Sequence, residues 1–221
     1  MSATRDQRYI PALRFSALTP LFDPLVRVST RERAFKRRLL ERAAALPGED
    51  VLDLGAGTGT LALMLKAAVP GAKVTGLDAD DEILARARAK AATAGADVRF
   101  VQAFSNAMPF PDGSFDVIVS TLFFHHLERE VKAATLRECV RVLRPGGRLV
   151  VGDWGRPSGP VMAALFMQVR AIDGFGVTAD NAHGRLPGLF EEAGLRSVRI
   201  SDEFRTPLGT IALYAGTRAD R

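Results

Sequence analysis

Three glycines at alternate positions, Gly55, Gly57 and Gly59, have the spacing in this chain that most directly indicates ligand binding. They follow the apolar run 51–54, which predicts a short buried strand, and precede the helical pattern 60–68. Glycine adopts left-handed backbone angles and allows a ligand to approach the main chain closely. Because Gly57, Gly59 and Ala62 also fit the G-x-G-x-x-A pattern of dinucleotide-binding loops, the glycines alone indicate only a nucleotide-type ligand.

Two aspartates flank this loop at predicted strand ends. Asp53 lies inside an otherwise apolar strand, where an unpaired carboxylate is costly to bury. A cationic ligand group such as an ammonium would balance its charge, whereas a pyrophosphate would be repelled. Capping of the loop's own amides is the alternative reading for Asp53. Asp78 ends the next strand, where its carboxylate can accept two hydrogen bonds from a ribose diol.

The residues suited to proton transfer lie further along the chain. His125 and His126 follow the predicted fourth strand, and Asp153 ends the fifth. A histidine with a pKa near neutrality can remove a proton from a hydroxyl or an acidic carbon, and Asp153 could orient it or bind substrate. A purely structural role is the alternative for all three. Adjacent histidines rarely bind one metal ion together, so with only His183 and Cys139 as further soft ligands no metal site is expected.

Alternating strands and helices must position these residues. Strands are predicted at 51–54, 73–77, 98–102, 115–120 and 148–152, with helices at 60–68, 80–94 and 128–142. Glycine and proline mark most of the turns between them. Elements of this length in this order predict a parallel sheet covered by helices on both faces.

The segments around this core carry weaker patterns. Residues 1–28 predict an irregular arm, and Ser29 to Glu32 predict the capping box of a helix that ends at Pro47. Helical stretches follow at 161–172 and 184–193, then two strands at 196–201 and 210–215 that predict an antiparallel edge. We expect one domain over 1–221: a cleft-covering arm and helix (1–47), a core (48–155), a helical insertion or lid (156–194) and terminal strands (195–217).

Four motifs in order carry a family resemblance. They are VLDLGAGTG from Val51, Asp78, MPFPDGSFDVIVS from Met108 and RVLRPGGRLVVGDW from Arg141. Together they resemble the class I methyltransferases, in the group that includes ubiquinone/menaquinone C-methyltransferases and many small-molecule methyltransferases. The match covers about residues 48–155. It implies an α/β, Rossmann-like fold with a seven-stranded, mostly parallel sheet, an antiparallel edge strand and a helical insertion after strand 5. It also implies S-adenosylmethionine as the cofactor.

The resemblance implies a role for each part of the cofactor site. The glycine loop would hold the methionine part, Asp53 would face its amine and Asp78 would bind the ribose. Methyl transfer to a good nucleophile needs little beyond proximity and alignment, so a catalytic base is optional. The cofactor-binding residues expected are Asp53, Gly55, Ala56, Gly57, Gly59, Asp78, Ala79, Phe104, Ser105, Asn106, Ser120 and Thr121.

Phe104 departs from the family pattern. It stands where the third strand usually ends in an aspartate that accepts a hydrogen bond from the adenine amino group. A phenyl ring cannot accept that bond, although it can stack on adenine. Ser105 or Asn106 could supply an acceptor from a neighbouring position, or backbone amides could bind the adenine edge instead.

Composition limits the rival functions. The net charge of +5 comes from dispersed basic residues, which argues against a nucleic-acid surface. A single cysteine excludes an internal disulfide, no apolar run approaches the ~20 residues of a membrane span, and no secretory signal is visible. A cytoplasmic protein, monomeric or homodimeric, is the expectation.

Large apolar residues in the arm and in the insertion suggest a small, hydrophobic or aromatic acceptor. They are Tyr9, Phe15, Leu18, Phe22, Met162, Leu165, Phe166, Met167 and Phe175. A nucleic-acid methyltransferase is the first alternative, but Ser120 to Phe123 lack the Asn/Asp-Pro-Pro-aromatic turn of the exocyclic-amine enzymes. An NAD(P)-dependent oxidoreductase is less favoured, because neither tyrosine is followed four residues later by lysine. A cofactor-binding protein without catalysis is the non-enzymatic alternative.

Overall fold

The computed structural model describes residues 32–220, so the predicted arm 1–28 and the Ser29 cap lie outside the described residues. The helices are α1 (Glu32–Ala43), α2 (Thr60–Ala68), α3 (Asp81–Thr93), α4 (Arg129–Val142), α5 (Pro160–Asp173), α6 (Ala179–Ala182) and α7 (Leu186–Glu192). The strands are β1 (Asp50–Leu54), β2 (Lys73–Asp78), β3 (Val98–Gln102), β4 (Phe115–Thr121), β5 (Leu143–Trp154), β6 (Leu195–Thr206) and β7 (Gly209–Arg218). A short 3₁₀ turn covers Phe124–His126.

Within the described residues, seven strands form one sheet in the order β3-β2-β1-β4-β5-β7-β6. Strands β1 to β5 pair in parallel, whereas β7 pairs antiparallel with both β5 and β6. The predicted seven-stranded, mostly parallel sheet with an antiparallel edge is confirmed. Strand β7 runs antiparallel to its neighbours β5 and β6, and β6 is the edge strand of the sheet.

The strand order reverses at β1. Strands β2 and β3 lie on one side of it, and β4 and β5 lie on the other. In an open parallel sheet, the loops that leave such neighbouring strands diverge and open a crevice beyond the strands' carboxyl ends. The loop after β1 and the turn after β4 are therefore the segments that border this crevice.

Alternate residues of β1 point to opposite faces of the sheet, each covered by its own helices. Leu52 and Leu54 belong to a core cluster with residues of α4 and α7. Val51 belongs to a second cluster with residues of α1, α2 and α5. Because side chains alternate along a strand, Asp53 lies on the same face as Val51, beneath α1 and α2.

The insertion and the terminal strands differ in detail from the sequence prediction. The insertion contains a third, four-residue helix, α6, between the two that the sequence predicts. Strands β6 and β7 extend beyond 196–201 and 210–215, because they continue into a tight hairpin at Thr206 and Gly209. The Thr206 hydroxyl closes this hairpin by donating to the Gly209 carbonyl at 2.8 Å. No described helix has the length and hydropathy that a bilayer crossing requires.

Candidate active site

The loop between β1 and α2 depends on its glycines for two different reasons. Gly55, Gly57 and Gly59 have φ angles of 71°, 51° and 73°, in the left-handed region that favours glycine. A Cβ atom on Gly55 would lie 2.5 Å from the Phe123 ring, so that position has no room for a side chain. A Cβ atom on Gly57 would meet nothing within 4 Å, which means that the loop is open to space at this residue.

Asp78 fixes the conformation of this loop from the end of β2. Its Oδ2 accepts a hydrogen bond from the Gly57 amide at 2.9 Å, and its Oδ1 accepts one from the Asp80 amide at 3.1 Å. Asp80 in turn caps α3 through the amides of Glu82 and Ile83. The Asp78 carboxylate stays partly exposed, and each of its oxygens has a further lone pair for a ligand.

Asp53 is buried under the same loop, with 1% of its surface exposed. Among residues 32–220 its carboxylate accepts one hydrogen bond, from the Ala62 amide of α2 at 3.0 Å. Burial raises the pKa of Asp53 to about 7, against the opposing charge of Lys36 and the Ala62 amide. The capping alternative thus describes one oxygen of Asp53, and the other accepts no hydrogen bond from residues 32–220.

The three residues 104–106 after β3 differ in how far their side chains are exposed. Phe104 is 43% exposed. The Ser105 hydroxyl is buried and pairs with the Thr135 hydroxyl of α4 at 2.8 Å, while Asn106 is half-buried. Ala79 accepts a hydrogen bond from the Gln102 side chain at 3.3 Å, which ties the ends of β2 and β3 together.

The turn after β4 is held by hydrogen bonds from both sides. The buried Ser120 hydroxyl donates to the Leu54 carbonyl of β1 at 2.7 Å, and Thr121 is half-buried. Leu122 has a φ of 51°, an uncommon angle for a non-glycine residue, and its amide donates to the Gly152 carbonyl at 2.8 Å. This turn carries Phe123 against Gly55 and leads directly into the histidine pair.

Asp153 organises the histidine turn from the end of β5. It is fully buried, and its Oδ2 accepts from the amides of Phe123 and His125 at 3.2 and 3.3 Å. Its Oδ1 accepts from the Trp154 amide and lies 2.7 Å from His125 Nδ1. The Asn181 side chain of α6 adds a fifth hydrogen bond at 3.3 Å. Asp153 therefore fixes the His125 ring rather than facing the crevice itself.

Burial and neighbouring charges shift the pKa values of His125, Asp153 and His126. Burial alone would lower the pKa of His125, but the Asp153 carboxylate outweighs it and raises that pKa, with Asp173 adding to the effect. Burial opposes ionisation of Asp153, yet the adjacent His125 lowers its pKa overall. Burial and the neighbouring His125 lower the pKa of His126. The Asp153 carboxylate thus favours the charged form of His125, and burial favours the neutral form of His126.

Asp173, at the C-terminal end of α5, completes the cluster. Its Oδ2 lies 3.5 Å from His125 Nε2 and its Oδ1 lies 3.9 Å from His126 Nδ1. Sequence reasoning missed Asp173, since the predicted helix ended one residue before it and nothing local marks it. Asn181 was missed too, and its buried Oδ1 has no hydrogen-bond partner among residues 32–220. His183 and Cys139 stay apart from the cluster: His183 is exposed and bonds the Ala179 carbonyl, and Cys139 is buried in the core.

The structure thus brings the glycine loop and the histidine pair into contact. Phe123 joins them, because its ring packs on Gly55 and its amide donates to Asp153. The arrangement offers a cation-accepting carboxylate at Asp53, a diol-accepting carboxylate at Asp78 and an oriented imidazole at His125 along one edge of the sheet.

Comparisons with known proteins find similar proteins among the methyltransferases. A family profile described as a methyltransferase domain matches residues 51–147, which contain the glycine loop, Asp78 and the histidine pair. The demethylmenaquinone methyltransferase of Thermus thermophilus is 43% identical over 145 residues, which are 65% of each chain. The chain thus covers slightly less than two thirds of that relative's length.

Two further comparisons extend over more of the chain. The ubiquinone/menaquinone biosynthesis C-methyltransferase of Syntrophotalea carbinolica is 29% identical over 93% of this chain and 92% of its own. The crystal structure of the YcgJ protein from Bacillus subtilis matches the fold with a TM-score of 0.67, at 21% identity, over 86% of this chain and 100% of its own. Residues 51–147 thus match a methyltransferase domain, and the motifs and relatives of the chain are similar to those of the class I, S-adenosylmethionine-dependent methyltransferases.

Proposed function

We propose that this chain transfers a methyl group from S-adenosylmethionine to a small acceptor of hydrophobic or aromatic character. The observation that carries the proposal is the contact between the glycine loop and the histidine turn through Phe123. It brings the proposed cofactor site and the proposed acceptor site side by side, as direct transfer between two bound molecules requires.

The residues of the loop fit the methionine end of the cofactor. Asp53 has an oxygen without a hydrogen bond from the described residues, and its raised pKa reflects a buried carboxylate in need of a cation. The open side of Gly57 leaves main-chain space for a ligand. When bound, S-adenosylmethionine supplies an electrophilic methyl group on its sulfonium centre. We assign the cradle to Gly55, Ala56, Gly57 and Gly59, and the ammonium contact to Asp53.

The ribose and adenine ends follow along the same edge. Asp78 has spare lone pairs for the ribose hydroxyls, and Ala79 follows it in the chain. We assign adenine stacking to the exposed ring of Phe104. Because the Ser105 hydroxyl pairs with Thr135, Ser105 contributes through its backbone, and Asn106 is the side chain left to meet the adenine edge.

Ser120 and Thr121 line the methionine end from the turn after β4. The Ser120 hydroxyl is already donated to the Leu54 carbonyl, so its part is to hold β4 against β1. Thr121, half-buried at the end of the strand, is the one of the two with surface to offer a ligand.

The acceptor site lies on the histidine side. Asp153 holds the buried His125 ring so that Nδ1 faces Asp153 and Nε2 faces Asp173. If the acceptor must lose a proton, His125 is the group placed to receive it, with His126 beside it and Asp153 as the positioning residue. Trp154 lies near His125, with their ring centroids 6.3 Å apart, and gives this side an apolar wall.

The acceptor's character follows from the insertion. Of the large apolar residues predicted to cover the cleft, Phe166 is buried in the core, whereas Met167 and Phe175 are 44% and 51% exposed. The latter two can therefore contact a bound molecule. The names of the relatives, which act in menaquinone and ubiquinone biosynthesis, support an aromatic ring of the quinol type as the acceptor.

Two measurements test the proposal. A thermal-shift comparison of S-adenosylmethionine, S-adenosylhomocysteine and NAD(P) should show stabilisation by the first two only. Labelled methyl transfer to simple quinols and phenols should then exceed transfer to polar metabolites and to RNA. Stabilisation by NAD(P) alone would contradict the cofactor assignment, and preferential methylation of polar metabolites would contradict the acceptor class.

A further inference from the structure

We propose that His125, His126 and Asp173 form a binding site for one divalent transition-metal ion of the zinc or iron class. The sequence offered two adjacent histidines without a third ligand; the fold supplies the third by bringing the end of α5 over the turn after β4. One ligand atom from each of the three residues lies within 4.8 Å of the others. The carboxylate oxygens of Asp173 are 3.5 Å from His125 Nε2 and 3.9 Å from His126 Nδ1.

The ligand chemistry fits a borderline ion. Two imidazole nitrogens and one carboxylate are ligands that zinc uses in open sites and that non-haem iron uses as a facial triad. Ligand atoms bound to one ion at about 2.1 Å stand roughly 3 to 3.5 Å apart. The His125–Asp173 distance meets that spacing at Oδ2, whereas the His126 distance of 3.9 Å is to Oδ1. The three ligand atoms lie within 4.8 Å of one another, so side-chain shifts of up to about 1.3 Å would bring them to it.

The surrounding hydrogen bonds prepare His125 for this role. Asp153 Oδ1 lies 2.7 Å from His125 Nδ1, so that nitrogen carries the hydrogen and Nε2 keeps its lone pair towards Asp173. A carboxylate behind a ligand histidine is the common support of protein metal sites, because it fixes the ring and raises its basicity. The side chain of Asp153 is itself held by the amides of Phe123, His125 and Trp154.

Two carboxylates converge on the two imidazole rings, so a positive charge would stabilise the cluster. With both histidines neutral, two lone pairs and the Asp173 carboxylate would converge, with the second carboxylate of Asp153 behind them. Among the described residues, Lys132 of α4 is a cation close enough to act on His125, but its ammonium group is directed to Asp180 and the Val177 carbonyl. A proton on His125 or a metal ion can supply the charge, and these two exclude each other at Nε2.

A metal ion here would change the chemistry of the acceptor side. Three protein ligands leave coordination positions open, where an oxygen of the acceptor can bind and become easier to deprotonate. His125 would then act as a ligand instead of a base. This consequence rests on the proposed function, whereas metal binding itself does not.

The test is a titration of untagged, chelator-treated protein with zinc and with cobalt, without the cofactor. We expect one zinc ion per chain by calorimetry and a visible absorption band from bound cobalt. Trp154 is the single tryptophan of the sequence, and its ring lies 6.3 Å from that of His125. Cobalt in the site should therefore quench the tryptophan fluorescence of the protein.

Variants separate this site from adventitious binding. Asp173→Asn and His126→Ala should each weaken zinc binding by at least about tenfold, the size of effect known for groups that support metal sites. His183→Ala removes the remaining histidine of the sequence, which is exposed on α6's far end, and should leave zinc binding unchanged. Circular dichroism checks that each variant stays folded.

The zinc titration and the measurement of S-adenosylhomocysteine affinity test two separate proposals. No zinc binding by the wild type, or equal binding by the wild type and Asp173→Asn, overturns the metal site. S-adenosylhomocysteine affinity, measured on the same samples, tests the cofactor assignment separately. A protein that binds this product and no zinc therefore contradicts the metal proposal alone.

Discussion

The carboxylate of Asp53 accepts the amide hydrogen of Ala62 at 3.0 Å across the glycine loop. One oxygen thus caps the first turn of α2, as the alternative sequence reading expected, and the other has no hydrogen bond from residues 32–220. The two readings of Asp53 are therefore compatible. A single buried carboxylate holds the helix that follows the loop and keeps a negative charge beneath the proposed methionine site.

Asp53→Asn should separate these two tasks. An asparagine oxygen can still accept from Ala62, so we expect the fold to be kept, but the neutral side chain offers no charge to an ammonium group. Affinity for S-adenosylhomocysteine at pH 7.5 should fall by at least about tenfold, because hydrogen bonds to charged groups contribute ~1.5 to 3 kcal/mol. Calorimetry measures it. Asp53→Ala is the companion variant: it should lose affinity and also melt at a lower temperature.

The pKa of Asp53 predicts how stability depends on pH. Its folded pKa of about 7 lies above the unfolded value, so the native state binds more protons than the unfolded chain between these two values. Stability from this group is therefore greatest at low pH and falls as pH rises from about 4 to about 7, by at most ~4 kcal/mol. Urea unfolding gives the free energy of unfolding of the wild type and of Asp53→Asn at pH 5.5 and at pH 8. The difference between the two proteins should be larger, in favour of the wild type, at pH 5.5 than at pH 8. A difference that does not change with pH would contradict the prediction.

The sequence predicted the sheet well because its signals are local. Each of the first five strands is an apolar or β-branched run bounded by glycine, proline or charged residues, and each helix has its own periodicity. Gly55 and Asp78 could be selected as site residues for the same reason: their positions at strand ends follow from the pattern. The family resemblance then implied a seven-stranded sheet with an antiparallel edge strand, whereas the order of the strands comes from the structure.

The histidine cluster could be predicted only in part. Asp173 reaches His125 because the insertion folds back over β5, a contact that depends on the packing of α5 and α6 rather than on any local pattern. Ser105 illustrates the same limit. Its place beside Phe104 in the family pattern indicated a site residue, but the direction of its hydroxyl, towards Thr135 of α4, follows from packing that the sequence does not encode locally.

Gly57→Ala should impair the cofactor site with little effect on the fold. The new methyl group would project into open space beside the loop, where the cofactor is proposed to lie, and the left-handed backbone costs roughly 1 to 2 kcal/mol. Gly95→Ala is the matched control, since Gly95 has a φ of 60° and also meets nothing within 4 Å, but follows α3. We expect both variants to lose a similar amount of stability. Only Gly57→Ala should lose affinity for S-adenosylhomocysteine. Equal affinities would contradict the placement of the cofactor.

Phe104→Ala tests the adenine end. If the exposed ring stacks on adenine, its removal should weaken the binding of S-adenosylhomocysteine by about fivefold to tenfold. This corresponds to the ~1 kcal/mol or more that stacking on an aromatic side chain contributes. Phe175→Ala removes a ring of similar exposure from the insertion and should leave product affinity unchanged. Phe104→Asp restores the family's acceptor. Tighter binding by this variant than by Phe104→Ala would show that adenine is reached by an acceptor at this position.

The stability of the protein should depend more on the buried ion pair of Asp180 with Lys132 than on the more exposed pair of Asp180 with Arg129. Asp180 of α6 pairs with Lys132, which is fully buried, and with Arg129, whose side chain is 47% exposed. Asp180→Asn would leave the Lys132 charge buried with only the Val177 carbonyl to receive it, and should destabilise the protein by about 3 kcal/mol. Arg129→Met breaks only the surface pair and should cost less than ~1 kcal/mol. Urea unfolding compares the two; adding Lys132→Met to Asp180→Asn should recover part of the loss, because the unpaired charge is then gone.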